Sequence, residues 1–221
     1  MFQAEMSNRL IADELQAHSA RATIGRQIIV LEQTSSTNDA ILRVALHQGT
    51  AVSSPPHLTD EGLVLFAEHQ TAGRGQRGNR WESPAGKGLW FSILLRPEIQ
   101  IKDSGRLTIW AIETISDVIR AEFSLEPAIK LPNDVQVSRR KVAGVLVEMR
   151  AQEKAPYLAV VGIGINVNQS LEDFPPELQS RAISLAMALH RPVDRRQLAV
   201  AALRYLDRTY RERFTANALQ S

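Results

Sequence analysis

Between residues 68 and 87 the chain runs Glu-His-Gln-Thr-Ala-Gly-Arg-Gly-Gln-Arg-Gly-Asn-Arg-Trp-Glu-Ser-Pro-Ala-Gly-Lys, with neither a helical nor a strand period. Gly73, Gly75, Gly78, Gly86 and Gly88 let backbone amides approach a ligand with no Cβ in the way. Arg74, Arg77 and Arg80 carry a fixed fork of donors suited to carboxylate or phosphate, and Lys87 adds a point charge. The chemistry this favours is the wrapping of an anionic ligand by a loop that is poorly ordered when empty. Gly73, Gly75 and Gly78 spell G-x-G-x-x-G, but the dinucleotide fingerprint needs a helix directly behind it. Residues 79–88 hold Pro84 and other breaks in pattern and lead into a second strand, so that reading fails. A phosphate loop ending at Gly86-Lys87 fails as well, because Trp81 stands at its first glycine and Gly88 at its Ser/Thr. An RGG-like nucleic-acid patch and a merely flexible loop stay open.

Four other clusters have both a plain and a chemical reading. Ser35-Ser36-Thr37-Asn38 precedes a helical stretch, where the side chains either cap the helix or present hydroxyls to an uncharged polar group. Lys130-Leu131-Pro132-Asn133-Asp134 is built of turn residues. Lys141 stands at the mouth of an apolar run with Gly144 three residues on, as a solvated strand end or as a site cation. Gly162-Ile163-Gly164-Ile165-Asn166 sets two glycines inside a buried strand, which weakens it unless something approaches closely.

The elements that position these clusters follow from periodicity. A short helix is predicted over 8–18 and a first strand over 27–32, then a helix through Ile41, Leu42, Ala45 and Leu46. A surface loop spans 53–60. Apolar runs at 63–67 and 89–95 flank the glycine loop as strands. Leu107, Ala111, Ile115, Val118 and Ile119 mark a long helix, and 129–137 holds two short strands broken at Pro132-Asn133-Asp134. Buried strands over 142–147 and 157–165 are joined by a polar hairpin at 152–156. Asp194 as N-cap, Gln197 as its capping-box partner and a Val193–Leu198 staple open a last helix that runs to about Phe214. Strands cluster rather than alternate strictly with helices, which predicts an α+β fold: a mixed sheet with helices mainly on one face.

With 221 residues, 44% hydrophobic and 23% charged, the composition is that of one large globular domain. Lys+Arg 26 against Asp+Glu 24 leaves a net charge of +2, so any anion site must be local. Cys 0 excludes disulfides, thiolate metal sites and cysteine nucleophiles. No apolar run approaches the roughly 20 residues of a membrane span, and the start lacks a secretory core, so a cytoplasmic location is the expectation.

Taken in order, Ser-Ser-Thr-Asn at 35–38, Gln70-x-Ala72-Gly73-Arg74-Gly75-x-Arg77-Gly78-x-x-Trp81, Lys130-x-Pro132-Asn133-Asp134, Lys141-x-Ala143-Gly144-Val145-Leu146-Val147-Glu148 and Gly162-x-Gly164-Ile165-Asn166 closely resemble the biotin protein ligases. The resemblance covers roughly 33–214. It implies a fold like that of class II aminoacyl-tRNA synthetases and biotin synthetase, with residues 33–221 as catalytic domain and 1–32 as an N-terminal extension. It also implies two half-reactions. Biotin and MgATP give biotinyl-5′-AMP and pyrophosphate, and a lysine of a biotin carboxyl carrier domain then takes the biotinyl group and releases AMP. By motif, Ser36, Thr37, Asn38 and Gln70 hold the ureido end of biotin. Arg74, Gly75, Gln76 and Lys141, with Gly144 beside them, meet carboxylate and phosphate. Gly73, Arg77, Trp81, Asn133 and Asn166 belong to the nucleotide, Trp81 packing near adenine. Asp134 serves as a Mg²⁺ contact or orients the acceptor amine, and Arg74, Lys141 and Asp134 form the catalytic set.

Gln76 stands where many relatives carry arginine, which loosens retention of the adenylate, and Leu131 stands for a common tryptophan as a packing change. The sequence stops at Ser221, where relatives continue into an SH3-like domain, and residues ahead of 33 are too few for a winged helix, so no DNA partner and no membrane are expected. A monomer or homodimer fits. Rivals are a lipoate-type ligase on the same fold and a non-catalytic relic that binds biotin or carrier, with a nucleic-acid-binding protein third. A cysteine-dependent octanoyltransferase is excluded.

Overall fold

The computed structural model describes residues 8–17, 22–46, 61–151 and 157–214. Strands β1 (Ile28–Thr34), β2 (Val64–Gln70), β3 (Gly88–Leu95), β4 (Ala128–Lys130), β5 (Asp134–Val137), β6 (Arg140–Arg150) and β7 (Leu158–Asn166) form one sheet in the order β1-β2-β3-β7-β6-β5-β4. β1 and β2 are parallel, joined across helix α2 (Thr37–Ala45), and every other neighbouring pair is antiparallel, so the sheet is mixed. β7 is central, paired to β3 from Gly88↔Asn166 to Leu95↔Ala159 and to β6 from Ala143↔Ile165 to Arg150↔Leu158.

Because side chains alternate along a strand, β7 has two unlike faces. Ala159, Val161, Ile163 and Ile165 point into the main core, against helices α3 (Gly105–Phe123) and α6 (Arg195–Phe214), the latter preceded in the chain by the short helices α4 (Pro176–Gln179) and α5 (Leu185–Leu189). Leu107, Trp110, Ala111, Ile115, Val118 and Ile119 of α3 are all fully buried there. Burying each large member of such a stripe contributes about 1.5–3 kcal/mol. Leu158 and Val160 point the other way, into a smaller cluster with Ile41 and Ala45 of α2 and Leu94 of β3. Helices thus lie mainly on one face, as the pattern predicts, and α2 covers part of the other. No helix among the described residues is long and apolar enough to cross a membrane.

Most predicted elements are present with shifted ends. Helix α1 (Ala12–Gln16) is shorter than the 8–18 expectation, because the chain ahead of it is held by other elements. Leu10 N donates to Glu68 Oε1 and Asn8 Oδ1 accepts from Arg195 N. The expected boundary between residues 32 and 33 falls inside β1, and Leu10, Leu15 and Ile24 are members of the main core. Two short strands do flank Pro132-Asn133-Asp134, and Asp194 Oδ1 accepts from the amides of Arg196 and Gln197, capping α6. The loop at 53–60 and the turn at 152–156 lie outside the described residues.

One polar contact ties these layers together. Arg195, at the start of α6, reaches Glu68 of β2 at 2.5 Å, with only 2% and 9% of the two side chains exposed. Its Nε donates to the Gly88 carbonyl, and Glu68 also takes the Leu10 amide. Arg195→Met strands a buried carboxylate and should lower stability by about 3–5 kcal/mol in urea unfolding, with Glu68→Gln in the same chain recovering part. A loss below about 1 kcal/mol would show that water already shares the pair.

Candidate active site

The face of β7 that starts with Leu158 and Val160 continues as Gly162 and Gly164, so it changes from bulky to bare in one strand. Across the ladder Gly164 is opposite Gly144 and Trp90, and Gly162 is opposite Leu146 and Ser92. α2 covers the bulky end, and a cleft opens over the bare end. The close approach that two strand glycines require comes from this chain's own side chains. A Cβ on Gly162 would lie 2.3 Å from Asn38 Oδ1, one on Gly164 2.5 Å from Trp81 Cε2, and one on Gly144 2.8 Å from both Lys141 Cε and the Trp81 ring.

The N-terminus of α2 forms one wall. Ser36 holds the N-cap position with extended backbone, yet its side chain makes no capping bond. The cap comes from β2, where Gln70 Oε1 accepts the Thr37 amide at 2.8 Å. Ser92 Oγ lies 2.6 Å from Asn38 Oδ1 and 2.8 Å from Thr37 Oγ1. Gln70 Nε2 donates to Ser83 Oγ at 2.8 Å. Ser36, Thr37, Asn38 and Gln70 are all buried, a closed end made of neutral donors and acceptors.

The glycine–arginine run lies over the cleft and is closed on itself by backbone hydrogen bonds. Thr71 N and Ala72 N bond to the carbonyls of Thr34 and Ser35, Arg74 bridges Arg80, and Gly75 N donates to Asn79 O across a 3₁₀ turn at Gln76–Gly78. Arg77 takes φ 59 and Gly78 φ 76 at its tip. Trp81 N returns to Gly73 O, where a Cβ would lie 2.4 Å from Trp81 O, so glycine is required. The Trp81 ring lies over the glycines, with Lys141 Nζ 4.8 Å from its centroid. Lys141 Nζ is also 2.6 Å from Asp134 Oδ1. At the far end of the run Lys87 pairs with Asp173. Burial raises the Asp173 pKa, but the Ser170 amide and Lys87 outweigh it and hold the carboxyl below its ordinary value.

With Trp81 in place the cleft has a volume of about 40 Å³, bounded by Ser36, Thr37, Asn38, Gln70, Lys141 and the three glycines. Small-molecule sites run from about 300 to 1,000 Å³. A second cavity, of about 540 Å³, begins on the other side of the same Trp81 and Lys141 and extends past Asp134, Asn166, Phe174 and Arg181.

Of the residues singled out by sequence, Ser36, Thr37, Asn38, Gln70, Arg74, Gly75, Trp81, Asn133, Lys141 and Gly144 meet at the narrow cleft, and Asp134 and Asn166 join at the wide cavity. Gly73, Gln76 and Arg77 line neither, Gly73 being closed against Trp81 and the other two being at the loop tip. Trp81 lines both spaces and is the wall between them. Asn133 and Asn166 have protein partners: Asn133 Nδ2 donates to Val145 O, while Asn166 Nδ2 donates to Ile183 O and its Oδ1 accepts from Gln169. Leu131 is 67% exposed, so its exchange for tryptophan changes no core packing. Arg74 is not a free cation either. Its terminal nitrogens are bonded to Glu148, which sequence reading quoted as a motif residue without a site role, and to Asp39, which it left out along with Ser92.

The model of the biotin/lipoate A/B protein ligase family matches residues 30–166, from β1 to the end of β7. The chain belongs to this family. It is 33% identical over 207 residues to the bifunctional ligase/repressor BirA of Bacillus spizizenii, covering 94% of this chain and 61% of that protein. It is 34% identical over 187 residues to the biotin–[acetyl-CoA-carboxylase] ligase of Mycobacterium tuberculosis, covering 82% of this chain and 63% of the relative. The chain therefore spans a little over three fifths of the length of these relatives. Among solved structures, a biotin protein ligase from Aquifex aeolicus in complex with biotin and ATP superposes with a TM-score of 0.67 at 29% identity, over 85% of this chain and 71% of that one. The α+β fold is that of the biotin protein ligases, and the family match ends at Asn166, the last residue of β7.

If the bare face seats Trp81, adding one methyl group should expel the ring. Gly164→Ala is expected to raise the fraction of tryptophan fluorescence quenched by acrylamide, because Trp90 and Trp110 are fully buried and contribute little. Equal quenching in both proteins would show that the ring does not rest on the glycines.

Proposed function

We propose that the chain activates biotin with ATP to biotinyl-5′-AMP and passes the biotinyl group to a lysine of a biotin carboxyl carrier domain. The observation that carries this reading is the polarity of the cleft. Its closed end is neutral, made of Ser36, Thr37, Asn38 and Gln70, and its open end carries Lys141, which it shares with the wider cavity. Biotin has the matching polarity, an uncharged ureido ring at one end and a carboxylate at the other. The A. aeolicus relative solved with biotin and ATP supports the same pairing of ligands.

Residue roles follow from position. The hydroxyls and amide at the α2 end orient the ureido ring, and the bare glycine face leaves room for the fused bicycle. Trp81 must swing off that face as the ligand enters, because the ring fills the space. A carboxylate oxygen of biotin then forms a bond to the α-phosphorus while the bond to pyrophosphate breaks. Two anions meet in that step, and Lys141 Nζ stands where the narrow and wide spaces join, a point charge fixed in advance. Asp134 Oδ1 is buried, next to Lys141 but without an aligned hydrogen bond, which leaves an acceptor for a hard cation. Mg²⁺ held there with the phosphates would neutralise the departing pyrophosphate. In the second step the carrier amine attacks the acyl carbon, AMP leaves with the bonding electrons, and the amine gives up its proton to solvent. Orienting that amine is the alternative role for Asp134. The loop over the cleft keeps water from the acyl phosphate.

The expected result is biotin-dependent exchange of labelled pyrophosphate into ATP, with lipoate ineffective. Lys141→Ala should reduce that exchange at least about a hundredfold, the scale of losing one preorganised charge donor, while biotin binding falls much less. Exchange driven by lipoate alone would move the substrate to the other branch of the family. Near-normal exchange in Lys141→Ala would make this lysine a solvated strand end.

A further inference from the structure

Arg74 is the residue whose surroundings differ most from what its motif suggests. Nη1 donates to Glu148 Oε1 at 3.0 Å, and Nη2 donates to Glu148 Oε2 at 2.6 Å and to Asp39 Oδ1 at 2.8 Å. The guanidinium therefore makes a bidentate clasp with one carboxylate and a third charge-assisted bond with another. The two acids come from different elements, Asp39 from the first turn of α2 and Glu148 from β6. Glu148 also accepts Asn38 Nδ2 at 2.8 Å, so one carboxylate fixes a wall residue of the cleft and the base of its lid together. Arg74 sits at that base, where its backbone bridges Arg80.

We propose that Arg74 is the latch of the glycine–arginine loop, with Asp39 and Glu148 as the groups it closes on, and that it is not the cation that receives the substrate's carboxylate. Electrostatics favours this division. Arg74 with Asp39 and Glu148 carries a net charge of −1, so an incoming carboxylate meets repulsion and must uncover two acids to reach the guanidinium. Among the described residues Lys141 pairs with one acid, Asp134, and faces both cavities. A lone exposed ion pair holds little, and these side chains are 38–40% exposed. The clasp differs in that one ordered guanidinium joins three bonds to two separate elements. Asp39 and Glu148 are thus positioning residues. Each holds the lid through Arg74, and Glu148 also holds Asn38.

The inference deepens the ligase reading, but its main test is free of it. Amide hydrogen exchange at residues 73–80 is measured on the ligand-free protein for Arg74→Gln, Glu148→Gln and Asp39→Asn. The latch requires Arg74→Gln and Glu148→Gln each to speed exchange about tenfold, and Asp39→Asn less. The double variant of Arg74 and Glu148 should add nothing further, and the swap Arg74→Glu with Glu148→Arg should restore part of the protection. Unchanged exchange in Arg74→Gln or Glu148→Gln, or strictly additive effects, overturns the proposal. A second readout separates it from a substrate role. A latch makes Arg74→Gln and Glu148→Gln weaken biotin binding in calorimetry to a similar extent. A substrate cation would make Arg74→Gln far worse and Glu148→Gln neutral or tighter, which also overturns it. If the loop coupling holds but no biotin binds to the wild-type protein, the latch stands and the ligase reading falls.

Discussion

The cross-strand pair Gly144↔Gly164, with Gly162 two residues away, sets the terms for everything around it. Taking three side chains off one face of the two most central ladders removes packing and adds backbone freedom, which weakens a strand. The weakness is tolerated because β7 is paired along nearly its whole length on both sides, and its other face is buried under α3 and α6. In return the sheet surface drops by a side-chain layer just where α2 ends. Asn38, Trp81 and Lys141 all come within contact distance of backbone there. A larger residue at any of the three would move one of them, and with it one wall of the cleft.

Charge is arranged with the same economy of place. A net charge of +2 says little about a site in which cations are matched one by one. Arg195 is spent on the buried link to Glu68, Arg74 on Asp39 and Glu148, and Arg80 on Glu82. Lys141 is left at the junction of two cavities beside a carboxylate that lacks an aligned donor. The loop is closed by its own backbone hydrogen bonds, and the Trp81 ring lies over the strand glycines, so a ligand bound on that face as proposed would have to displace the ring.

Much of this was legible from the residues. Periodicity gave α3, capping chemistry gave the start of α6, turn chemistry gave the break between β4 and β5, and a pair of strand glycines announced a close approach. What approaches was not legible. Asn38 reaches Gly162, and Arg74 reaches a carboxylate 74 positions further on, Glu148, and no local pattern encodes such meetings. Two missed residues did leave a trace. Ser92 is the one hydroxyl inside the apolar run of β3, and Glu148 is the acid that ends the apolar run of β6 on the same side as Gly144. Alternation alone places both on the cleft face. In the glycine run two of the glycines serve geometry that no period announces, a close return at Gly73 and a positive φ at Gly78.

The bare sheet face as the seat of the ligand is the claim on which the account turns. Diffraction from crystals grown with a non-hydrolysable biotinyl-adenylate analogue tests it most directly. The expected density places the bicycle over Gly162 and Gly164 with Ser36, Thr37 and Gln70 around the ureido group. Trp81 is displaced and the phosphate lies beside Lys141. A bicycle bound in the wide cavity, or a phosphate remote from Lys141, would contradict the account.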